Sequence, residues 1–351
     1  MNNTPLFTVI LAGYQTEPYL QKALDSVANQ TFRDFEAICY VEESTDRSLE
    51  ICRAMAARDP RFIAATGRKS GGVGATRNYG IDHASGRYLV VLDGDDWLAE
   101  DMLKKLADKL EQTGIVDVLS FAAVSTETED VDPASAPKLT NFSSGDQEGV
   151  FSGQDAIRRA GRNGGQFRAY TVLSIYRTAF LREHRLYQQL GVMEDFEWTP
   201  RVWFHAEKMA YLDEVFYFYR RRPNSLTTEA SSRIIHDLAG HIRSLLAFAA
   251  SEPVPDDILT IWSNQCISIL YWFMFHPVSS RKISDADRKQ ALEKLLSGED
   301  RTPFLKLLSR ASRPKRVARP LILLAAKGFQ LPAKVYFRRL YYPMIEQRHH
   351  S

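Results

Sequence analysis

RYLVVLDGDDW, residues 87–97, carries five apolar or β-favouring residues, Tyr88 to Leu92, straight into three carboxylates, Asp93, Asp95 and Asp96. The apolar run reads as a buried strand. Carboxylates two positions apart in an extended segment point to the same side. Beyond a strand end, such a pair suits a hard divalent cation, Mg2+ or Mn2+, which takes oxygen ligands and bridges phosphates. The same residues also suit a plain turn, with Asp96 capping a helix after Trp97. Gly94 in second place, with no Glu at the required distance, excludes a calcium loop of the EF-hand type.

Outward from this stretch, strand and helix signals alternate. FTVILAGY (7–14), FEAICYV (35–41) and RFIAAT (61–66) read as strands. In EPYLQKALDSVANQ (17–30), Leu20, Ala23, Leu24 and Val27 share one helical face. Ser44, Thr45 and Asp46 offer N-caps for a helix carrying Leu49, Cys52 and Met55, and further helices are expected over 75–84 and 99–112. This alternation predicts an α/β fold, a mostly parallel sheet flanked by helices, with right-handed crossovers. Ligands of such sheets sit beyond the carboxyl ends of the strands, where Glu42, Glu43 and the Asp93–Asp96 cluster fall. Residues 125–147 are polar, acidic and proline-containing, and read as a surface loop. The expected organisation is an α/β domain in two halves, 1–124 and 148–228, around that loop, followed by a helical basic region, 229–351.

Hydrophobic content of 44% and charged content of 25% fit an ordinary globular protein. Cys39, Cys52 and Cys266 lack metal-type spacing and read as reduced core thiols. No basic-then-apolar leader opens the chain, and LILLAA (321–326) is too short to cross a bilayer, so a cytoplasmic location is expected. The net charge of +2 hides an asymmetry: from Arg301 onward, twelve Lys or Arg face one acid, Glu346. Interleaved with LILLAA, Val335, Tyr336, Phe337, Leu340, Tyr341 and Tyr342, these cations predict peripheral attachment to an anionic membrane surface. A basic helical cap packed on the acidic front domain is the alternative. Nucleic acid is not an expected partner, because no recognition module accompanies the charge.

Two more segments carry candidate chemistry. SGGVGATRNYG (70–80) opens a helix and can bring backbone N–H groups to a phosphate, yet it matches neither the dinucleotide fingerprint nor a P-loop. Arg77 within it is either a ligand-binding or a solvated charge. In VMEDFEWTPRVWF (192–204), Glu194, Asp195 and Glu197 suit a helix start, or one of them a general base. Pro200 predicts that this helix begins at Thr199.

Residues 7 to about 228 resemble the inverting family-2 glycosyltransferases with a GT-A fold. The likeness rests on VILAGYQTEPYLQKALDSVANQTFRDFEAICYVEESTDRSLEI, SGGVGATRNYGIDHASGRYLVVLDGDDWL, YRTAFLREHRLYQQLGVMEDFEW and YRRRPNSLTT, in that order. It implies that Asp93 and Asp95, with Gly94 between them and Asp96 adjacent, form the DXD motif binding Mn2+ or Mg2+ and the donor diphosphate. Glu42 and Glu43 match the acidic pair that contacts the donor's base and ribose. Ala12, Tyr14, Gly72 and Arg77 match further donor-binding positions. Asp195 matches the base of the ED motif, with Glu194 its neighbour, and Arg221, Arg222 and Ser225 a segment over the diphosphate. The implied reaction is inverting transfer from a nucleotide-diphosphate sugar, a UDP-sugar, to a carbohydrate or lipid-linked glycan acceptor in bacterial cell-surface glycan synthesis. Two departures, EES in place of an Asp pair plus Gly and AGYQ in place of a segment with Pro and Asn, border the base pocket. A sugar-nucleotide pyrophosphorylase would need a glycine-rich loop with a lysine after the first strand, which YQTEPYL does not supply. A non-catalytic sugar-nucleotide-binding scaffold is the other rival.

Overall fold

The computed structural model describes residues 4–142, 148–162, 168–222, 231–275, 282–297, 301–311 and 318–327. They fall into two compact units, one within Met1–Arg159 and Arg168–Arg222, the other within Ala160–Phe167 and Pro223–Ser351.

In the first unit, β1 (Phe7–Gly13), α1 (Glu17–Ala28), β2 (Phe35–Glu42), α2 (Ser48–Arg58), β3 (Phe62–Gly67), α3 (Gly74–His83) and β4 (Tyr88–Asp93) alternate as the pattern requires. All seven residues of β1 are buried. The α1 stripe Leu20, Ala23, Leu24 and Val27 is the face that it buries. These strands are parallel in the order β3-β2-β1-β4. The chain therefore steps from β1 to one side twice, then crosses to β4 on the other, and this reversal opens a crevice at the strand ends. Register places Ala12 opposite Asp93, and Glu42 opposite Gly67, on that edge.

Beyond β4 the sheet becomes mixed. After β5 (Trp97–Leu98), α4 (Met102–Thr113) and β6 (Val118–Thr126) come β7 (Lys138–Leu139), β8 (Gly149–Phe151), α5 (Gly153–Ala160), β9 (Ser174–Arg177), α6 (Thr178–Glu183), α7 (Asp195–His205) and β10 (Met209–Arg220). β9 runs antiparallel between β4 and β6, while β10 lies parallel to β6 and antiparallel to β5. The central sheet flanked by helices agrees with the expected fold class.

Three local expectations need correction. Asp96 caps no helix: Trp97–Leu98 pair with β10, and α4 starts only at Met102. The stretch expected as loop from residue 125 begins inside β6, and Lys138–Leu139 add a short strand to it; residues 143–147 lie outside the description. Pro200 does not delay its helix, which starts at Asp195 and runs through it. Proline's cost in a helix is a missing N–H and a clash, and here packing offsets it. Trp198 and Trp203 are buried, and Thr199 Oγ1 donates to the Ala169 carbonyl at 3.0 Å.

The second unit is helical: α8 (Ser232–Ser251), α9 (Asp256–Leu270) with a π turn at Tyr271–Phe275, α10 (Asp285–Leu295), α11 (Arg301–Ser309) and α12 (Ala318–Ala326). The stretch Asp256–Phe275 is long and apolar enough to cross a membrane by length and composition. Its Ile258, Trp262, Cys266, Ile267 and Leu270 are nevertheless buried in the unit. Part of the LILLAA segment lies in the core. Ile322, Ala325 and Ala326 are core, so they offer no apolar surface to a membrane. The aromatic stretch from Val335 to Tyr342 lies outside the described residues. All three cysteines are buried and unpaired by disulfides, as expected for core thiols.

The tight entry to β4 gives a test. A Cβ at Gly86 would lie 2.5 Å from the Phe7 carbonyl carbon and 2.5 Å from Thr8 N, both backbone atoms. Gly86→Ala is expected to cost about 1–3 kcal/mol, the usual range for overpacking, read as a lower urea midpoint at unchanged slope.

Candidate active site

The end of β4 is held from several directions. Asp96 N–H donates to the Asp93 carbonyl at 3.0 Å, closing a turn, and Gly94 N–H donates to the Ala12 carbonyl at 2.8 Å. A Cβ on Gly94 would sit 2.8 Å from that same oxygen, so glycine lets the turn lie against β1. From β10, Tyr217 Oη accepts the Asp93 N–H at 3.2 Å and donates to Asp96 Oδ2 at 2.6 Å. Arg220 N–H donates to Asp96 Oδ1 at 2.7 Å. Asp96, expected beside the metal, is 2% exposed with both oxygens engaged. Burial, then the charges of Asp95 and Asp93, push its carboxyl well above the usual carboxylate range. It fastens β10 to the turn and leaves Asp93 and Asp95, with side chains 26% and 19% exposed, facing the crevice. Among the described residues, no three His, Cys, Asp or Glu side chains gather as a ready metal site.

Arg77 lies at the centre. It is buried on α3, and its guanidinium donates to Glu194 at 2.5 Å, to Asp93 at 3.3 Å and to Gln188 at 3.4 Å. Burial alone would favour loss of its proton, but Asp93, Glu194 and Asp195 more than offset that and hold the charge. The solvated-charge reading of Arg77 is therefore wrong. Its Nε has no hydrogen-bond partner among the described residues.

The acidic residues 194, 195 and 197 take three different roles. Met193 adopts φ +68° immediately before α7, turning the chain so that Glu194, at the N-cap, reaches Arg77 instead of capping its own helix. Glu197 is fully buried and paired with Arg201 at 2.6 Å, a structural contact. Asp195, half-buried at the first turn, is pushed up to about 7 by burial and then by Glu194, with Arg77 opposing. The glycine-rich segment is packed against this region: a Cβ at Gly72 would lie 1.8 Å from the Gly191 carbonyl oxygen. Gly72 thus serves close backbone approach.

At the neighbouring strand ends the acidic pair is divided. Glu42 is buried and accepts hydrogen bonds from Ser70 N–H, at 3.0 Å, and from Ser70 Oγ. Glu43 is exposed. Tyr14 is exposed beyond β1, bonded to Lys69, whose ammonium lies 4.4 Å from its ring centroid. Arg222 pairs with Asp95 at 2.6 Å, whereas Arg221 pairs with Glu127 at 3.1 Å, away from the carboxylates. Ser225 lies outside the described residues. Sequence reasoning missed Tyr217, Gln188, Ser70 and Arg220, whose guanidinium sits between Tyr19 and Trp97, 5.0 and 4.7 Å from their rings. Only the aromatic–basic run of β10 hinted at two of them.

The profile of glycosyl transferase family 2 matches residues 8–185. The chain belongs to that family. Among curated relatives of this family-2 protein, glycosyltransferase GlyA of Streptococcus pneumoniae is 27% identical over 266 residues, covering 71% of this chain and 35% of GlyA. EpsJ of Bacillus subtilis, described as a glycosyltransferase, is 30% identical over 234 residues, 64% of this chain and 63% of EpsJ. The chain thus spans about a third of one relative and under two thirds of the other. The fold matches residues 1–349 of Staphylococcus aureus TarS, solved with UDP-GlcNAc, at a TM-score of 0.70 and 19% identity, over 94% of this chain and 91% of that one. The family-2 chain is accordingly GT-A in fold.

Truncating a buried cation leaves its partners uncompensated. Arg77→Met is expected to lose about 3–5 kcal/mol of stability by urea denaturation, and Arg77→Lys less, since an ammonium retains the charge. A loss under 1 kcal/mol in Arg77→Met would mean that the bridge carries little of the first unit's stability.

Proposed function

We propose that the protein transfers a sugar from a nucleotide-diphosphate donor to an acceptor hydroxyl with inversion of configuration. The observation that carries the reading is the Arg77 bridge, which ties the strand-end carboxylate Asp93 to Glu194, the neighbour of Asp195. Donor-side charge and a candidate base are thereby set in one charge cluster. Asp93 and Asp95 fit a hard cation: both offer oxygen, both reach solvent, and Asp95 disfavours ionisation of Asp93. They would hold Mn2+ or Mg2+, which supplies Lewis-acid stabilisation of the departing diphosphate when bound.

Asp195 then takes the proton of the acceptor hydroxyl. The acceptor oxygen forms its bond to the anomeric carbon from the face opposite the diphosphate, whose oxygen leaves with the bonding pair. A base with pKa near neutrality suits this work, because a large fraction of it is ionised near neutral pH and it still accepts a proton readily. Burial against Glu194 gives Asp195 that character. For the donor we propose a UDP-sugar. Exposed Glu43 can accept from uracil N3–H or ribose hydroxyls, and TarS, solved with UDP-GlcNAc, shares the fold. For the acceptor we propose a carbohydrate or lipid-linked glycan of the bacterial cell surface, with the basic stretch from Arg301 onward placed against the anionic cytoplasmic membrane face.

Nucleotide release from a panel of UDP-, GDP-, dTDP- and CDP-sugars with Mn2+ and simple glycan acceptors tests the reading. Turnover undiminished in EDTA, or in Asp95→Ala, would refute the metal assignment. Asp195→Asn is expected to lower kcat by about 10²–10⁴-fold while donor affinity, by calorimetry, stays near wild type.

The pH profile follows from the direction of the shift. Asp195 is raised, so it is protonated and inactive as a base below about 7. Wild-type kcat/KM should therefore fall as pH drops through that value, tenfold per unit at the acid limit. An acid limb near 4, the ordinary carboxylate range, would exclude Asp195 as the base. For the tail, the full chain is expected to float with anionic liposomes and a chain ending at Lys327 to lose that preference; equal flotation of both would remove the tail from the mechanism.

A further inference from the structure

Arg222 occupies a contested position. Its Nε lies 2.6 Å from Asp95 Oδ2, on one of the two carboxylates proposed to hold the cation, and its guanidinium lies 5.6 Å from the Tyr19 ring centroid. Asp93, the other carboxylate, faces the guanidinium of Arg77. Each strand-end carboxylate thus carries its own arginine, and a free dication approaching them meets two guanidinium charges as well as two carboxylates. The two arginines differ in one respect. Arg77 is buried and shared with Glu194, whereas the Arg222 side chain is 28% exposed, beyond the end of β10. Part-exposed ion pairs hold their geometry weakly, and a planar guanidinium fork matches phosphate oxygens as readily as a carboxylate.

We infer that Arg222 is a place-holder on Asp95: it keeps the carboxylate closed to free divalent cation and yields it only when a diphosphate arrives to take the guanidinium. The inference rests on the donor-site reading proposed above. The diphosphate brings the negative charge that makes the strand end attractive to a dication, and it gives Arg222 new oxygens to bind. Cation and donor consequently bind together, and Arg222 changes partner from Asp95 to phosphate. No covalent bond changes in this exchange.

The two partners of Arg222 predict opposite effects of removing it. Calorimetric titrations would use Mn2+ alone, and Mn2+ with inorganic pyrophosphate, which does not depend on the identity of the base. Against wild type, Arg222→Gln should bind Mn2+ alone roughly tenfold tighter and pyrophosphate with Mn2+ roughly tenfold weaker, a factor for one charge-assisted contact. Arg222→Lys keeps the charge and should leave Mn2+ binding weak. Adding Asp95→Asn to Arg222→Gln should cancel the gain in Mn2+ affinity. Arg222→Met serves as a second truncation should the Gln variant fail to fold by circular dichroism. Unchanged or weakened Mn2+ binding in a folded truncation overturns the place-holder. So does wild type that binds Mn2+ as tightly without pyrophosphate as with it. Wild type that binds no pyrophosphate even with Mn2+ overturns the donor-site reading, and the place-holder with it.

Discussion

The architecture of the site depends on one buried cation. Arg77 faces carboxylates from two segments far apart in sequence, Asp93 at the end of β4 and Glu194 at the start of α7. Without it, Asp93 and Glu194 would gather close to Asp195 with no positive charge between them, and like charges so placed repel. With it, the carboxylates stay together. The expense of burying a guanidinium is met by arrangement: α3 carries Arg77 inward, and its glycine-rich lead-in lies flat enough for Gly72 to touch the backbone of Gly191. The segment that precedes Glu194 is in turn bonded to α3, through Asn78 and Gln188.

Much of this was legible in the amino-acid order, and the reasons for the rest are specific. The alternation from β1 to β4 is written in the apolar runs of β1, β2 and β4 and the stripe of α1, because those elements bury the faces that the period reveals. DGDD ends a strand, and the register against β1 follows from parallel pairing. What could not be read was which partner each charge chooses. Asp96 and Asp95 are adjacent, yet one is consumed by Tyr217 and Arg220 of β10 while the other remains at the surface with Arg222. Glu42 and Glu43 part in the same way, one taken by Ser70. Those choices are made by strands more than a hundred residues away or by loop geometry, which no local pattern encodes. Pro200 misled for the complementary reason: its local penalty was real but smaller than the burial of the tryptophans around it.

The division of the acidic pair also bears on the unusual EES segment. An Asp at position 42 would fall a methylene short of Ser70, so the longer Glu suits the tether between β2 and the glycine-rich segment. The departure from the more usual acidic pair is then a structural adaptation at Glu42, and Glu43 stays exposed.

Asp46 links two helix starts, Glu17 and Ser48, that lie thirty-one residues apart. Its carboxylate accepts the N–H of Glu17 at 3.0 Å and of Ser48 at 3.1 Å, and Glu17 returns the favour by accepting Arg47 N–H at 3.0 Å. The Ser48 bond is local to α2, whereas the Glu17 and Arg47 bonds close only when β1 and β2 bring the two helix starts together. The consequence concerns the order of folding events. The two bonds that cross between α1 and α2 therefore depend on the β1–β2 ladder, and the α1 start gains its carboxylate acceptor only with that ladder in place. Native-state hydrogen exchange at the Glu17 and Arg47 amides would then report a single opening free energy, and two unequal values would separate the helices into independent units.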